Sequence, residues 1–272
     1  MIVALALALA EPVPVAVPQA PAPSSVSLSE AGRAIGAGRL DQARQMLSVA
    51  VAAGAKGEPV DRLLADLALA RGENERALDL YRALLIGHPN DPLLLERGGI
   101  AALRLGRTVQ ATVLLDRATQ LPGAGWRAWN ARGAAADGQG RWEEADAAYA
   151  RAAQLEPDRA EIANNRGWSM MLRGRWSEAL ASFERAASID PKLPRLANNL
   201  ELARAAVAAG LPARMAGESD EAYGKRLNDA GVVAAASGDP KRAEAAFAQA
   251  IELRRRWFAR AADNLAALGG AK

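Results

Sequence analysis

The stretch WRAWNARGAAADGQGRWEEADAAYARAAQLEPDR, residues 126–159, is followed without a gap by AEIANNRGWSMMLRGRWSEALASFERAASIDPKL, residues 160–193. When the two are aligned at an offset of 34 residues, the same residue type or a close substitute recurs at seven key positions. The matching pairs are Gly133 with Gly167, Gly140 with Gly174, Trp142 with Trp176, Ala145 with Ala179, Tyr149 with Phe183, Ala152 with Ala186 and Pro157 with Pro191. An internal repeat of this length predicts a protein built from copies of one small structural unit.

Each copy contains two stretches with the apolar spacing of an amphipathic helix. In the first copy they cover residues 126–139 and 142–155, with a turn at Gly140 between them. The small residue Gly133 lets the two helices approach closely, and Pro157 ends the second helix because it lacks a backbone donor. One such pair cannot bury its apolar face alone, so we expect the pairs to stack around a continuous core.

The 34-residue frame extends in both directions from this stretch. It predicts five units, which begin near Ser24, Glu58, Pro92, Trp126 and Ala160. A sixth unit begins at Pro194 but breaks after Ala209, because Gly210, Pro212 and Gly217 are incompatible with a second helix of normal length. Helix resumes after the cap candidate Ser219, and a last unit follows in a shifted frame. We therefore expect a repeat array over residues 26–209, a loop over 210–219, and a C-terminal unit with a capping helix over 220–269.

The recurring positions resemble the motif of the tetratricopeptide repeat (TPR) family. In the unit that begins at Trp126 the motif is met by Trp129, Gly133, Ala145, Tyr149, Ala152 and Pro157. The resemblance implies an all-α fold, a TPR α-solenoid in which helix-turn-helix repeats form a right-handed superhelix. It also implies that the first helix of each pair lines a concave groove, and that this groove binds segments of other proteins.

The N-terminal residues differ in character from the repeats. Residues 1–10, MIVALALALA, read as a signal peptide with cleavage after Ala10, although no Lys or Arg precedes the apolar run. The alternative is an apolar N-terminus of a cytoplasmic protein. Residues 11–25 contain five prolines among Ala, Val and Ser, which predicts a disordered linker. We expect a periplasmic protein, with the cytoplasm as the alternative, and no transmembrane segment, because ten apolar residues are too few to span a bilayer.

The composition argues against several classes of function. The chain of 272 residues carries 34 basic and 31 acidic side chains, a balance that does not favour binding to nucleic acid. It has no cysteine, and its only histidine, His88, precedes a proline in a predicted turn. No nucleophile with its base, no metal-ligand spacing and no phosphate-binding loop can be assembled from the sequence. We therefore predict a protein without catalytic activity, metal or cofactor.

Residues predicted to face the groove form the candidate binding site. Counting from each unit start places asparagine at one equivalent position four times, at Asn130, Asn164, Asn198 and Asn228. An amide can donate and accept, so such a ladder could pair with the backbone of an extended peptide. Asparagines that bridge neighbouring helices are the alternative. Trp168, with Met171 one turn away, has the chemistry of a binding hot spot, with packing between repeats as the alternative.

Segments outside the repeat motif resemble a narrower family. Asn164-Asn165, Asn198 to Leu200, residues 217–239 and Arg260 to Leu268 are similar to the TadD-type component of tight-adherence (Flp) pilus assembly. This resemblance implies an adaptor of the cell envelope that binds pilus or secretion components in its groove. A general TPR scaffold in the cytoplasm or envelope, which binds through another face, is the alternative function.

Overall fold

The computed structural model describes residues 25–236, 238–253 and 259–270, and within these ranges it contains helices and no strand. The described residues up to Gly72 and the described residues from Glu73 form two compact units. The first unit contains α1 (Ser25–Gly36), α2 (Leu40–Ala52) and α3 (Glu58–Ala70). The prediction of an all-α fold is confirmed. The predicted signal peptide and nearly all of the predicted linker lie outside the described residues.

The second unit contains the remaining helices. They are α4 (Asn74–Gly87), α5 (Pro92–Arg104), α6 (Thr108–Gln120), α7 (Trp126–Asp137), α8 (Trp142–Leu155), α9 (Ala160–Leu172), α10 (Trp176–Ile189), α11 (Leu196–Ala208), α12 (Asp220–Ala236), α13 (Pro240–Leu253) and α14 (Ala259–Gly270). The first helices of the third, fourth and fifth repeats begin at Pro92, Trp126 and Ala160, where the sequence frame places them. Each pairs with the helix that follows it and packs against the next repeat.

The turn inside each pair depends on a glycine with a left-handed backbone. Gly140 has a φ of 69° and Gly174 a φ of 68°, a conformation that costs other residues energy. The left-handed residue lets the backbone N–H of Arg141 donate to the carbonyl oxygen of Ala136 (3.0 Å) across the end of α7. This hydrogen bond caps the helix and reverses the chain for the next one.

A second glycine allows the two helices of a pair to approach each other. A Cβ atom on Gly133 would lie 2.7 Å from the Tyr149 ring, and one on Gly167 would lie 2.6 Å from the Phe183 ring. Gly231 stands in the same relation to Phe247, at 2.5 Å. These rings are at most 1% exposed, so they fill the space beside the glycine and have no room to move. The Gly position and the aromatic position of the repeat motif are therefore in direct contact with each other.

Gly167→Ala tests this contact. We expect a loss of about 1–2 kcal/mol in the free energy of unfolding, because overpacking costs about 1–3 kcal/mol and the better helix propensity of alanine returns up to about 1 kcal/mol. Gly87→Ala is the matched control, since Gly87 is helical and a Cβ there would meet nothing within 4 Å. Urea unfolding followed by circular dichroism measures both. Equal midpoints for the two variants would contradict the close contact.

The sixth unit loses its second helix, as the sequence predicts. Gly210 ends α11 with a φ of 55°, but Pro212 follows and the chain continues as a loop to Ser219. The Ser219 hydroxyl accepts from the backbone N–H of Ala222 (3.2 Å), which confirms it as the cap of α12. Asp239 caps α13 in the same way, through the N–H of Arg242 (3.0 Å).

Helix α13 continues the stack in place of the missing helix. It packs against both α12 and α11, and Gln249 Nε2 donates to the carbonyl oxygen of Leu202 in α11 (3.4 Å). Helix α14 then covers the far side of this pair, where Leu265 and Leu268 pack against Phe247. The closing helix therefore shields an apolar face that would otherwise meet water.

Candidate functional site

Two of the four asparagines predicted along the groove, Asn130 and Asn164, hydrogen bond to asparagines outside the predicted set. Asn165 Nδ2 donates to Asn130 Oδ1 (3.2 Å), and Asn199 Nδ2 donates to Asn164 Oδ1 (2.9 Å). Asn164 Nδ2 in turn donates to Asn165 Oδ1 (3.4 Å). Together these bonds link α7, α9 and α11, the first helices of three successive repeats. The alternative that the amides bridge neighbouring helices thus describes these contacts, while a role in binding a peptide stays a prediction.

The other predicted site residues differ in their exposure. Asn198 is exposed, whereas Asn228 is 2% exposed and accepts a hydrogen bond from Asn264 (2.9 Å). Met171 is also 2% exposed and belongs to the apolar core that contains Trp176. The expectation that Met171 and Asn228 lie on an open groove is therefore wrong for this structure. Met171 is covered by the other side chains of this core, and Asn228 faces α14, which carries Asn264.

Trp168 has a different environment, since it lines an open cleft of about 1160 Å³. The C-terminal ends of α7 and α9, the start of α8, the loop over residues 213–219, the start of α12 and the end of α13 surround this cleft. The Trp168 side chain is half-buried at the edge of the apolar core. Met215, which is 59% exposed, lines the same cleft from the loop. Met215 therefore lines the same cleft as Trp168, whereas Met171 does not.

The loop is held against the repeats by specific contacts. Trp176 Nε1 donates to the carbonyl oxygen of Leu211 (3.1 Å), and Tyr223 Oη donates to that of Pro212 (2.9 Å). The Arg214 guanidinium donates to the carbonyl oxygen of Leu172 (3.2 Å) at the end of α9. Because these bonds tie the loop to the fifth repeat and to α12, one wall of the cleft is a defined surface.

Two arginines lie close to the ring of Trp142, which lines the cleft. The Cζ atom of Arg173 is 5.6 Å from the centroid of the Trp142 ring, and that of Arg214 is 5.4 Å away. Both distances are within the range of a cation–π interaction. Arg214 is also 5.7 Å from the Tyr223 ring and forms a 2.7 Å ion pair with Asp220. One arginine of the loop thus connects the fourth repeat with α12.

A buried carboxyl group lies beside these arginines. Asp137 is 7% exposed and accepts hydrogen bonds from the Tyr149 hydroxyl (2.8 Å) and the Ser169 hydroxyl (2.7 Å). Burial raises the pKa of Asp137 to about 6, although both hydrogen bonds and the charge of Arg173 oppose this shift. Arg173 itself forms a bidentate pair with Asp146, at 2.8 and 2.6 Å, which lowers the pKa of Asp146.

The loop contains a second ion pair. Arg226 Nε donates to Glu218 Oε1 (3.0 Å) and its Nη2 donates to Oε2 (2.8 Å). The backbone N–H of Met215 also donates to the Glu218 carboxylate (2.9 Å). These hydrogen bonds lower the pKa of Glu218. The side chain of Glu218 is thus used to hold the loop.

Sequence reasoning missed several residues of this cleft. It identified Trp142 only as a recurring position of the repeat, and it treated the segment from Gly210 to Ser219 only as a break in the repeat. The presence of Arg and Met in that break was a usable signal, since loops of Gly and Pro alone do not carry anchoring side chains. Nothing local in the sequence pairs Arg214 with Trp142, which precedes it by two repeats.

Within the described residues, no group of three or more Asp, Glu or His side chains is arranged to hold a metal ion. Among the same residues, no helix has both the length and the apolar character needed to cross a bilayer.

Known proteins share the sequence pattern and the fold of this chain. The family model described as tetratricopeptide repeat matches residues 28–92, 62–125 and 130–194. Of the solved structures, a thermophilic TPR protein of Thermus thermophilus is 23% identical, with a TM-score of 0.57 over 66% of this chain and 97% of that chain. PilW, a widely conserved type IV pilus biogenesis factor, is 18% identical, with a TM-score of 0.54 over 82% of this chain and 90% of its own.

A TPR protein of Parabacteroides merdae is 17% identical, with a TM-score of 0.52 over 90% of this chain and 98% of that chain. At these identities the likeness to the solved structures shows the fold alone. A comparison with curated proteins finds no match.

Proposed function

We propose, on the premise that this chain belongs to the tetratricopeptide repeat family, that it is an adaptor without catalytic activity that binds a segment of another protein. Tetratricopeptide repeats form protein–protein interaction scaffolds, so protein partners are implied. The observation that carries the proposal is the cleft beside Trp168, which is closed on one side by the loop at residues 213–219. A half-buried tryptophan and an exposed methionine that line the same cleft offer apolar contact points for a partner.

We propose further that the adaptor acts in the cell envelope, in the assembly of a pilus or secretion system. The apolar and proline-rich N-terminal sequence supports export, and the segments similar to the TadD-type component support the pathway. PilW, which has a similar fold, is named as a pilus biogenesis factor. Cell fractionation together with N-terminal sequencing of the protein tests export. Recovery of the uncleaved chain from the cytosol would contradict it.

A scaffold that binds through another face is the second candidate function. The observation in its favour is a pair of exposed valines one turn apart on α6, where Val109 is 74% and Val113 56% exposed. Residues four apart lie on the same face of a helix, so the two form a small apolar surface. Neither valine lines the cleft. The two candidate functions therefore predict sensitivity to different substitutions.

Trp168→Ala and Val109→Ser separate these candidates. The measurement is quantitative pull-down from solubilised cell envelope with wild type and each variant as bait, after circular dichroism has shown that both variants are folded. We expect Trp168→Ala to reduce recovery of the specific partner at least about tenfold, because hot-spot tryptophans contribute more than about 1.4 kcal/mol. Val109→Ser should have no effect. The reverse pattern would favour the second candidate, and a partner set without pilus or secretion components would contradict the pathway.

A further inference from the structure

The charges around the cleft are unequal. Its described lining contains six acidic and three basic side chains. The acidic residues are Asp137, Glu143, Glu218, Asp220, Glu221 and Glu252, and the basic residues are Arg173, Arg175 and Arg214. Arg254, Arg255 and Arg256 follow Leu253 in the sequence but lie outside the described residues, so this balance is that of the described lining alone. Three of these carboxylates are already engaged, since Glu218 pairs with Arg226, Asp220 pairs with Arg214, and Asp137 is buried. Exposed carboxylates that remain on the rim favour a cationic ligand over an anionic one.

The three arginines of the lining are already paired. Arg173 is 11% exposed and bound to Asp146, which is outside the lining. Arg214 is 9% exposed and bound to Asp220, and Arg175 forms a 2.5 Å ion pair with Glu178. An anionic ligand would have to compete with these carboxylates. The cleft therefore offers little free positive charge to a phosphate or to an acidic segment.

Two carboxylates of the rim differ from the others. Glu143 at the start of α8 and Glu252 at the end of α13 are exposed, and no side chain among the described residues pairs with either of them. Trp168, Leu172 and Met215 provide the apolar part of the lining. The described lining of the cleft thus combines apolar side chains with two exposed carboxylates, one on α8 and one on α13.

We infer that the cleft binds a partner segment that carries a lysine or arginine next to a large apolar side chain. This inference rests on the proposed function and specifies the chemistry of the partner. The apolar side chain packs against Trp168 and Met215, and the cation lies near Glu143 and Glu252. Rim charges contribute modestly to affinity but strongly to the choice of partner and to the dependence on salt. The carboxylates therefore select the segment, while the apolar wall holds it.

A phage-displayed library of random dodecapeptides, selected against the full-length protein, tests this inference. Enriched peptides are synthesised and titrated by calorimetry against wild type, Trp168→Ala, and the double variants Glu143→Gln/Glu252→Gln and Glu143→Lys/Glu252→Lys. Substitution of Glu184 and Glu201 by Gln is the control, because both are exposed glutamates outside the cleft lining. Circular dichroism checks that each variant is folded.

We expect the enriched peptides to contain Lys or Arg beside an aromatic or aliphatic residue. Trp168→Ala should weaken their binding at least tenfold, the double Gln variant about three- to tenfold at low salt, and the double Lys variant more. The control should bind as wild type. Enrichment of acidic peptides that still need Trp168 would overturn the inference and leave the proposed function in place. Peptides that bind Trp168→Ala as well as wild type would overturn both.

Discussion

Gly174→Ala is expected to lower the free energy of unfolding by about 3 kcal/mol in the part of the array that contains α9, α10 and the loop after α11. The left-handed backbone of Gly174, with a φ of 68°, costs an alanine about 1–2 kcal/mol. A Cβ atom there would also lie 2.8 Å from the Arg214 nitrogen and 2.9 Å from the Ala213 Cα atom. These are backbone atoms of the loop, so no rotation of a side chain relieves the clash, and overpacking adds about 1–3 kcal/mol.

Gly140→Ala is the control for this effect. Gly140 occupies the same position one repeat earlier and has nearly the same φ, 69°, but the nearest atom to its Cβ would be a Trp142 ring carbon at 3.7 Å. It should therefore lose only the backbone contribution, about 1–2 kcal/mol. Urea midpoints measured by circular dichroism compare the two variants, since a repeat array need not unfold in one step. Equal losses would mean that the loop does not pack on the turn at Gly174.

Asp137→Asn is expected to change the pH dependence of stability. The pKa of Asp137 is about 6 in the folded protein and 3.8 in the unfolded chain, because burial penalises the carboxylate. Above pH 6 the group is ionised in both states, and its burial costs up to about 3 kcal/mol. As the pH falls from about 6 towards 4, the folded protein takes up a proton that the unfolded chain does not yet bind. The contribution of Asp137 to the free energy of unfolding therefore becomes more favourable as the pH falls from about 6 towards 4.

The difference between wild type and Asp137→Asn isolates this contribution. Arg173 and Asp146 both act on the Asp137 carboxyl group. The pKa values of Asp146 and Glu218 are lowered, so these two groups make the protein less stable as the pH falls. The pH dependence of wild type alone therefore does not isolate the contribution of Asp137. An asparagine is neutral at every pH and can still accept from one of the two hydroxyls. We expect the variant to be more stable than wild type at pH 7.5 and to lose this advantage at pH 4.5. A difference that does not change with pH would contradict the raised pKa.

Most of the repeat fold was predictable from the sequence because its determinants are local. Gly140 and Gly174 set the turns. The contact between Gly133 and Tyr149, which are only 16 residues apart in the sequence, sets the distance between the two helices of a pair. The caps at Asp91, Ser219 and Asp239 are also local, since each bonds to an N–H two or three residues later. Such features recur with the repeat, and recurrence makes them visible in a single sequence.

The candidate site was less predictable because its contacts are distant in the sequence. Counting residues from the start of the repeat placed Trp168 and Met171 on one surface. A helix that packs against neighbours on several sides, however, buries a wider face than a helix that packs against one partner. Met171 consequently lies in the core, whereas Met215 reaches the cleft from a loop 47 residues beyond Trp168. The position of that loop depends on Arg214, Trp142 and Tyr223, and no short-range pattern links these three residues.

We propose that the cleft beside Trp168, rather than another face, contacts the partner. Photo-crosslinking in living cells tests it most directly, with p-benzoyl-phenylalanine in place of Met215 in the cleft or Val109 on α6. Both side chains are well exposed, at 59% and 74%, so the two probes are comparable. We predict a discrete crosslinked protein from position 215 that disappears when Trp168→Ala is added, and none from position 109. Crosslinks from position 109 alone, or from position 215 unchanged by Trp168→Ala, would contradict the claim.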